Sequence, residues 1–137
     1  MADPADTDNL KGGVTIVCGG RDYQDVETIR EVLEWVRPEV IRHGGARGAD
    51  NLAGIWARRN GVPTIEYSAD WDRYGKAAGP IRNLEMAKAG ARVCVSFAGG
   101  RGTANMERCA IEAGIPVVRA PRKFGGEIEI LYPGEAT

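Results

Sequence analysis

Four arginines stand where an anion could be held. Arg21 follows Gly19-Gly20, Arg47 sits between Gly44-Gly45 and Gly48, Arg101 sits between Gly99-Gly100 and Gly102-Thr103, and Arg82 follows Gly79-Pro80. A guanidinium offers phosphate oxygens two parallel hydrogen bonds, and glycines let a ligand approach the backbone closely. One such turn is equally well explained by a backbone angle that only glycine adopts easily. Three in one chain favour a bound anion.

The elements around these residues are short strands followed by amphipathic helices. Residues 14–18 form a β-branched run ending at the first turn, and Asp25 is a plausible N-cap for a helix with Ile29, Val32, Leu33 and Val36 on one face. Residues 40–43 form a second short strand before the second turn, with a helix through Leu52, Ala53 and Trp56 that ends near Gly61. Residues 62–67 read as a third strand and 68–79 as a long loop carrying Trp71 and Tyr74. A helix starts at Gly79-Pro80, with Ile81, Leu84 and Ala87 or Lys88 on its inner side. The strand 92–97, the third turn, a helix from Ala104 to Ala113 and a last core strand at 115–118 complete the pattern.

Alternation of this kind predicts an α/β fold, a Rossmann-like three-layer sandwich with a mainly parallel sheet of about five strands. In such a sheet every strand-to-helix turn lies at the carboxyl edge, where ligands bind. The three turns should therefore converge. Residues 1–12 are expected to be a flexible tail, 13–120 the domain, and 121–137 an extension forming an edge strand or an interface arm.

Composition narrows the chemistry. The chain has 137 residues with a formal net charge of -1, so no global basic field holds a polyanion. No apolar run is long enough for a membrane span, and the acidic start has no signal-peptide core, which points to a cytoplasmic protein. Cys18, Cys94 and Cys109 lack metal-type spacing and His43 is the only histidine, so neither a metal site nor a bound cofactor is expected. No Lys-Ser/Thr follows the glycines and none of the turns reads GxGxxG, which disfavours a kinase or an ordinary dinucleotide dehydrogenase.

Four blocks in order resemble the YspA-like, cpYpsA-related branch of the SLOG superfamily: Gly19-Gly20-Arg21-Asp22, the run from His43 to Asp50, the segment from Ala69-Asp70-Trp71 to Pro80-Ile81-Arg82-Asn83, and the run from Gly99 to Met106. The resemblance implies a Rossmann-like fold and a nucleotide or nucleotide-derived ligand. On that basis the ligand-binding set is Gly19, Gly20, Arg21, Asp22, Gly44, Gly45, Arg47, Gly48, Asp50, Trp71, Arg82, Asn83, Gly99, Gly100, Arg101, Gly102 and Thr103, and a homo-oligomer is expected. Related Lonely Guy phosphoribohydrolases carry PGGxGTxxE. Here Ala98 replaces the proline and Met106 the glutamate, with Glu107 one residue later and about 100° around the helix. Enzymatic activity stays open: were the protein a nucleotide N-glycosidase or transferase, Asp50, Glu85 and Glu107 would be the candidate catalytic carboxylates. The blocks around Arg47 and Arg82 also resemble the DNA-processing protein A family, which leaves single-stranded DNA as the less favoured partner.

Overall fold

The structure is a computed structural model and describes residues 4–134. Six strands form one sheet: β1 (Val14–Cys18), β2 (Val40–His43), β3 (Thr64–Glu66), β4 (Val93–Ser96), β5 (Val117–Arg119) and β6 (Glu129–Leu131). Their order is β3-β2-β1-β4-β5-β6, parallel except for β6, which runs antiparallel to β5. The strand beyond the expected five is this β6 in the C-terminal extension.

Helices α1 (Val26–Val36) and α2 (Ala49–Arg59) cover one face, and α4 (Ala78–Lys88) and α5 (Arg101–Glu112) the other. The pleat sorts the strand residues between them. Val17, Val93, Val95 and Phe97 pack with α1 and α2, whereas Ile16, Cys18 and Cys94 pack with α4 and α5. Asp25 caps α1: its Oδ1 accepts the Thr28 N–H at 3.0 Å and its Oδ2 the Thr28 hydroxyl at 2.6 Å. On the inner side of α4, Ala87 is buried as expected and Ile81 half-buried, but Leu84 is not inward. Asn83 and Met86 are buried there instead.

Two further expectations are corrected. The loop expected at 68–79 contains a short helix α3 (Trp71–Tyr74), a 3-10 turn at Gly75–Ala77 and the start of α4, because Asp70 caps α3 by accepting the Arg73 N–H at 3.1 Å. The flexible tail fails at its C-terminal end. Pro4–Leu10 forms a 3-10 helix, Leu10 is fully buried, and the Gly12 N–H bonds Val36 O at 2.8 Å. Burial of a leucine is enough to anchor the segment. Residues 1–3 and 135–137 lie outside the described residues.

Candidate functional site

The three glycine turns meet, and Gly20 is their junction. Its N–H donates to Ala98 O at 3.0 Å, in the third turn, and its carbonyl accepts the Ala49 N–H at 3.2 Å, at the start of α2 after the second. No side chain fits between them. A Cβ at Gly48 would lie 2.2 Å from Gly20 O, and one at Gly99 2.7 Å from Gly20 N. These glycines are therefore required by the packing of one turn on another.

The turns differ in what they can offer a ligand. In the second, Asp50 Oδ2 accepts the N–H groups of Gly44 and Ala46, both at 3.1 Å, and His43 Nδ1 accepts that of Gly45 at 3.0 Å. Three successive amides are thus used up, and this turn does not form the expected anion cradle. His43 is thus held in place as an acceptor through Nδ1. The third turn is the opposite case. Gly100 is the N-cap of α5 with no side-chain capping bond, and no acceptor among the described residues takes the N–H groups of Arg101, Gly102 or Thr103. Because α5 starts at Arg101 rather than Ala104, these amides form its first turn, at the positive end of the helix dipole.

That turn opens on a cavity of about 1070 Å³ at the carboxyl edge of the sheet. Of the residues expected to bind ligand, Gly19, Gly20, Arg21, Gly44, Gly45, Arg47, Asp50, Trp71, Arg82, Asn83, Gly100, Arg101, Gly102 and Thr103 line it; Asp22, Gly48 and Gly99 do not. The Arg21 guanidinium lies over the Trp71 ring at 5.9 Å, and Trp71 remains 49% exposed at the cavity rim. Arg47 pairs with Asp22 at 3.7 Å, in water, where such a pair adds little stability.

Arg82 works inside the fold. Its Nη1 donates to Gly44 O at 2.8 Å and Tyr67 O at 3.0 Å, and its Nε to Asn83 Oδ1 at 2.9 Å, so it ties the second turn and the end of β3 to α4. Asn83 in turn donates to Asn105 Oδ1 at 2.9 Å and to Gly102 O at 3.3 Å. Burial lowers the Arg82 pKa from its ordinary value, opposed by Asp50. Burial also raises that of Asp50, against the N–H groups of Ala46 and Gly44 and the nearby His43 and Arg82.

The three candidate catalytic carboxylates are not brought together. Asp50 is on the cavity wall, Glu85 is exposed on α4 away from it, and Glu107 faces a second cavity of about 440 Å³ beyond the third turn. There Arg119 grips both oxygens of Glu107, at 3.0 and 3.1 Å, and Ser96 Oγ donates to Oε2 at 2.6 Å. Met106, not Glu107, lines the main cavity. The three cysteines are free and buried, and the Cys94 thiol beside it, together with burial, pushes the Cys18 thiol well above its usual range. Glu66, Ser68 and Lys76, which the sequence reading does not single out, also line the cavity, as does Asn105 of the third block. Glu66 had a legible signal, since it closes a strand of a parallel sheet at the ligand-binding edge.

Known proteins are similar to this chain in sequence and in fold. Residues 14–74 match YAcAr, the YspA, cpYpsA-related SLOG family. The Gene 61 protein of Mycobacterium phage D29 is 44% identical over 115 residues, covering 75% of this chain and 92% of that protein. The chain belongs to the YspA, cpYpsA-related SLOG family. For this SLOG chain the X-ray structure of DNA processing protein A (DprA) from Streptococcus pneumoniae is a neighbour in fold. The two align with a TM-score of 0.59 at 24% identity, over 86% of this chain and 53% of that one, so the chain spans about half of its length. The matched stretch, residues 14–74, contributes lining residues from the first two glycine turns and Trp71, and the segments around Arg82 and Arg101 complete the cavity wall. No described helix is long and apolar enough to cross a membrane.

Proposed function

We propose that this SLOG protein binds a nucleotide or nucleotide-derived phosphate at the carboxyl edge of the sheet. The observation that carries this reading is the first turn of α5, whose three unpaired N–H groups open on the large cavity beside Arg101. Backbone donors at a helix start suit phosphate oxygens, and a cavity lined by arginines from separate turns adds charge without a mobile chain. Trp71, with Arg21 over one face, supplies an aromatic surface for a base.

A small ligand is favoured over a strand of DNA. Asp70 and Asp72 flank Trp71, and the net charge of -1 gives no global basic field to hold a polyanion beyond the cavity. The likeness to DNA processing protein A is one of fold and does not transfer its partner. Hydrolysis has less support: of the three candidate carboxylates only Asp50 reaches the cavity, and one of its oxygens is committed to two backbone donors.

The test is a thermal-shift and calorimetry series with nucleoside mono-, di- and triphosphates, followed by Arg101→Ala and Arg21→Ala. A ligand that binds only the native state must raise its stability. Each arginine variant is expected to weaken binding by roughly 10-fold or more, the worth of one charge-assisted hydrogen bond. If no phosphate-bearing compound shifts the transition, the reading fails.

A further inference from the structure

The ligand cavity holds one carboxylate for which the fold has no use. Glu66 ends β3 and lies across the second turn, where a Cβ on Gly45 would fall 2.4 Å from its Cδ and 2.6 Å from its Oε2. Three amide donors of that turn are close by, yet Asp50 and His43 take all of them, so Glu66 does not cap the turn. Ser68 Oγ donates to Glu66 Oε2 at 2.8 Å. Among the described residues Oε1 has no hydrogen-bond donor, and no lysine or arginine pairs with this carboxylate.

The remaining cavity wall is rich in donors. Arg21, Lys76, Arg101 and the first amides of α5 can only donate, and Asp50, the other carboxylate on the wall, is already engaged. In the strand order β3-β2-β1-β4, Glu66 and the turn leading into α5 are separated by three strand spacings. That is about 14 Å at roughly 4.8 Å each. Arg47 and Arg82 also line the wall, so what distinguishes the two sides is that a ligand spanning the cavity meets free backbone donors and Arg101 at the α5 turn and, about three strands away, a free acceptor in Glu66.

We propose that Glu66 is a specificity-determining residue that accepts the 2′- and 3′-hydroxyls of a ribose, with the ligand's phosphates on the first turn of α5. This rests on the nucleotide reading above and adds a substrate class to it: ribonucleotides in preference to deoxyribonucleotides. Two neighbouring hydroxyls match the two acceptor oxygens of a carboxylate, and the flat face of the base is left for Trp71. The gap of three strands favours a phosphate chain longer than one unit. Removing the 2′-hydroxyl leaves a carboxylate oxygen desolvated without a donor, which is how a polar site rejects an analogue that lacks the group it was built to bind. Gly45 belongs to the same device, since any side chain there would displace the carboxylate from its seat.

The experiment is calorimetric titration of wild-type protein and Glu66→Gln with the four ribonucleoside 5′-diphosphates and their four 2′-deoxy counterparts. Glu66 is exposed, and a melting curve checks that the variant is folded. Wild type is expected to bind at least one ribonucleoside diphosphate about 10-fold more tightly than its deoxy form. In Glu66→Gln that ratio should fall to roughly 2 or less. Equal affinities in wild type, or an unchanged ratio in the variant, overturn the role of Glu66 and leave nucleotide binding standing. Failure of all eight compounds to bind overturns both readings together.

Discussion

Gly48 sits against the carbonyl of Gly20, so near that a Cβ on Gly48 would lie 2.2 Å from that oxygen. Gly48 also has φ +80 and ψ -128, a backbone conformation that a side chain makes costly. Gly48→Ala is expected to lose about 3 kcal/mol or more, combining backbone strain with a clash against a main-chain atom that cannot turn aside. Urea unfolding measures it. Gly100→Ala is the control, because nothing lies within 4 Å of a Cβ there, and its cost should stay below about 1 kcal/mol. Similar losses in both would mean that the junction of the turns is not what Gly48 secures.

Asp50 gives a pH dependence with a definite sign. Burial raises its pKa in the fold, so the native state favours the neutral carboxyl. The resulting contribution is fully present below the unfolded value of about 3.9 and is lost as pH rises through the higher folded value. Asp50→Asn stays neutral, and its amide oxygen can still accept from Gly44 and Ala46. Relative to wild type, this variant should gain stability between about pH 4 and neutrality and show no such gain below pH 4. Melting temperatures of both proteins across that range check it. A difference that does not vary with pH would show that the ionised carboxylate is fully compensated.

Glu107 and Arg119 separate stability from binding. Glu107 is 14% exposed at its side chain and held by Arg119, which also reaches Glu129 at 3.0 Å. Arg119→Met leaves Glu107 without its cation and should lose about 2 kcal/mol, less than a fully buried pair because Arg119 itself is 43% exposed. Glu107→Gln should leave nucleotide affinity unchanged within about 2-fold, since its carboxylate faces the smaller cavity. A large loss of affinity in Glu107→Gln, with the fold intact, would restore this residue to the ligand site.

The residues explain why some of this was legible in the sequence and some was not. Alternating strands and helices put the turns on one edge, and Asp25, Gly61 and Pro80 mark helix ends through local chemistry alone. What stayed hidden depends on partners distant in sequence. The amides of Gly44, Gly45 and Ala46 looked free because nothing in the glycine pattern says that Asp50 and His43 turn back onto them. Glu107 lies one residue past the missing glutamate, and nothing near it in sequence says that Arg119, on the next strand, holds it on the other side of α5. Leu84 faces outward and Asn83 inward because the Asn83 amide bonds Asn105 on α5, which satisfies the buried polar side chain.

Gly102 tests whether the start of α5 is kept open for a ligand. It lies in the first turn of the helix, lines the large cavity, and has nothing within 4 Å of where a Cβ would be. Glycine inside a helix costs roughly 0.5–1 kcal/mol relative to alanine, so Gly102→Ala should stabilise the protein by up to about that amount. The added methyl would stand beside the three unpaired amides and keep phosphate oxygens at a distance. Nucleotide affinity is therefore expected to fall by about 10-fold or more while the melting temperature rises, a split that loss of folding cannot produce. Alanine that raises stability and leaves affinity intact would show that the ligand's phosphate does not rest on this turn.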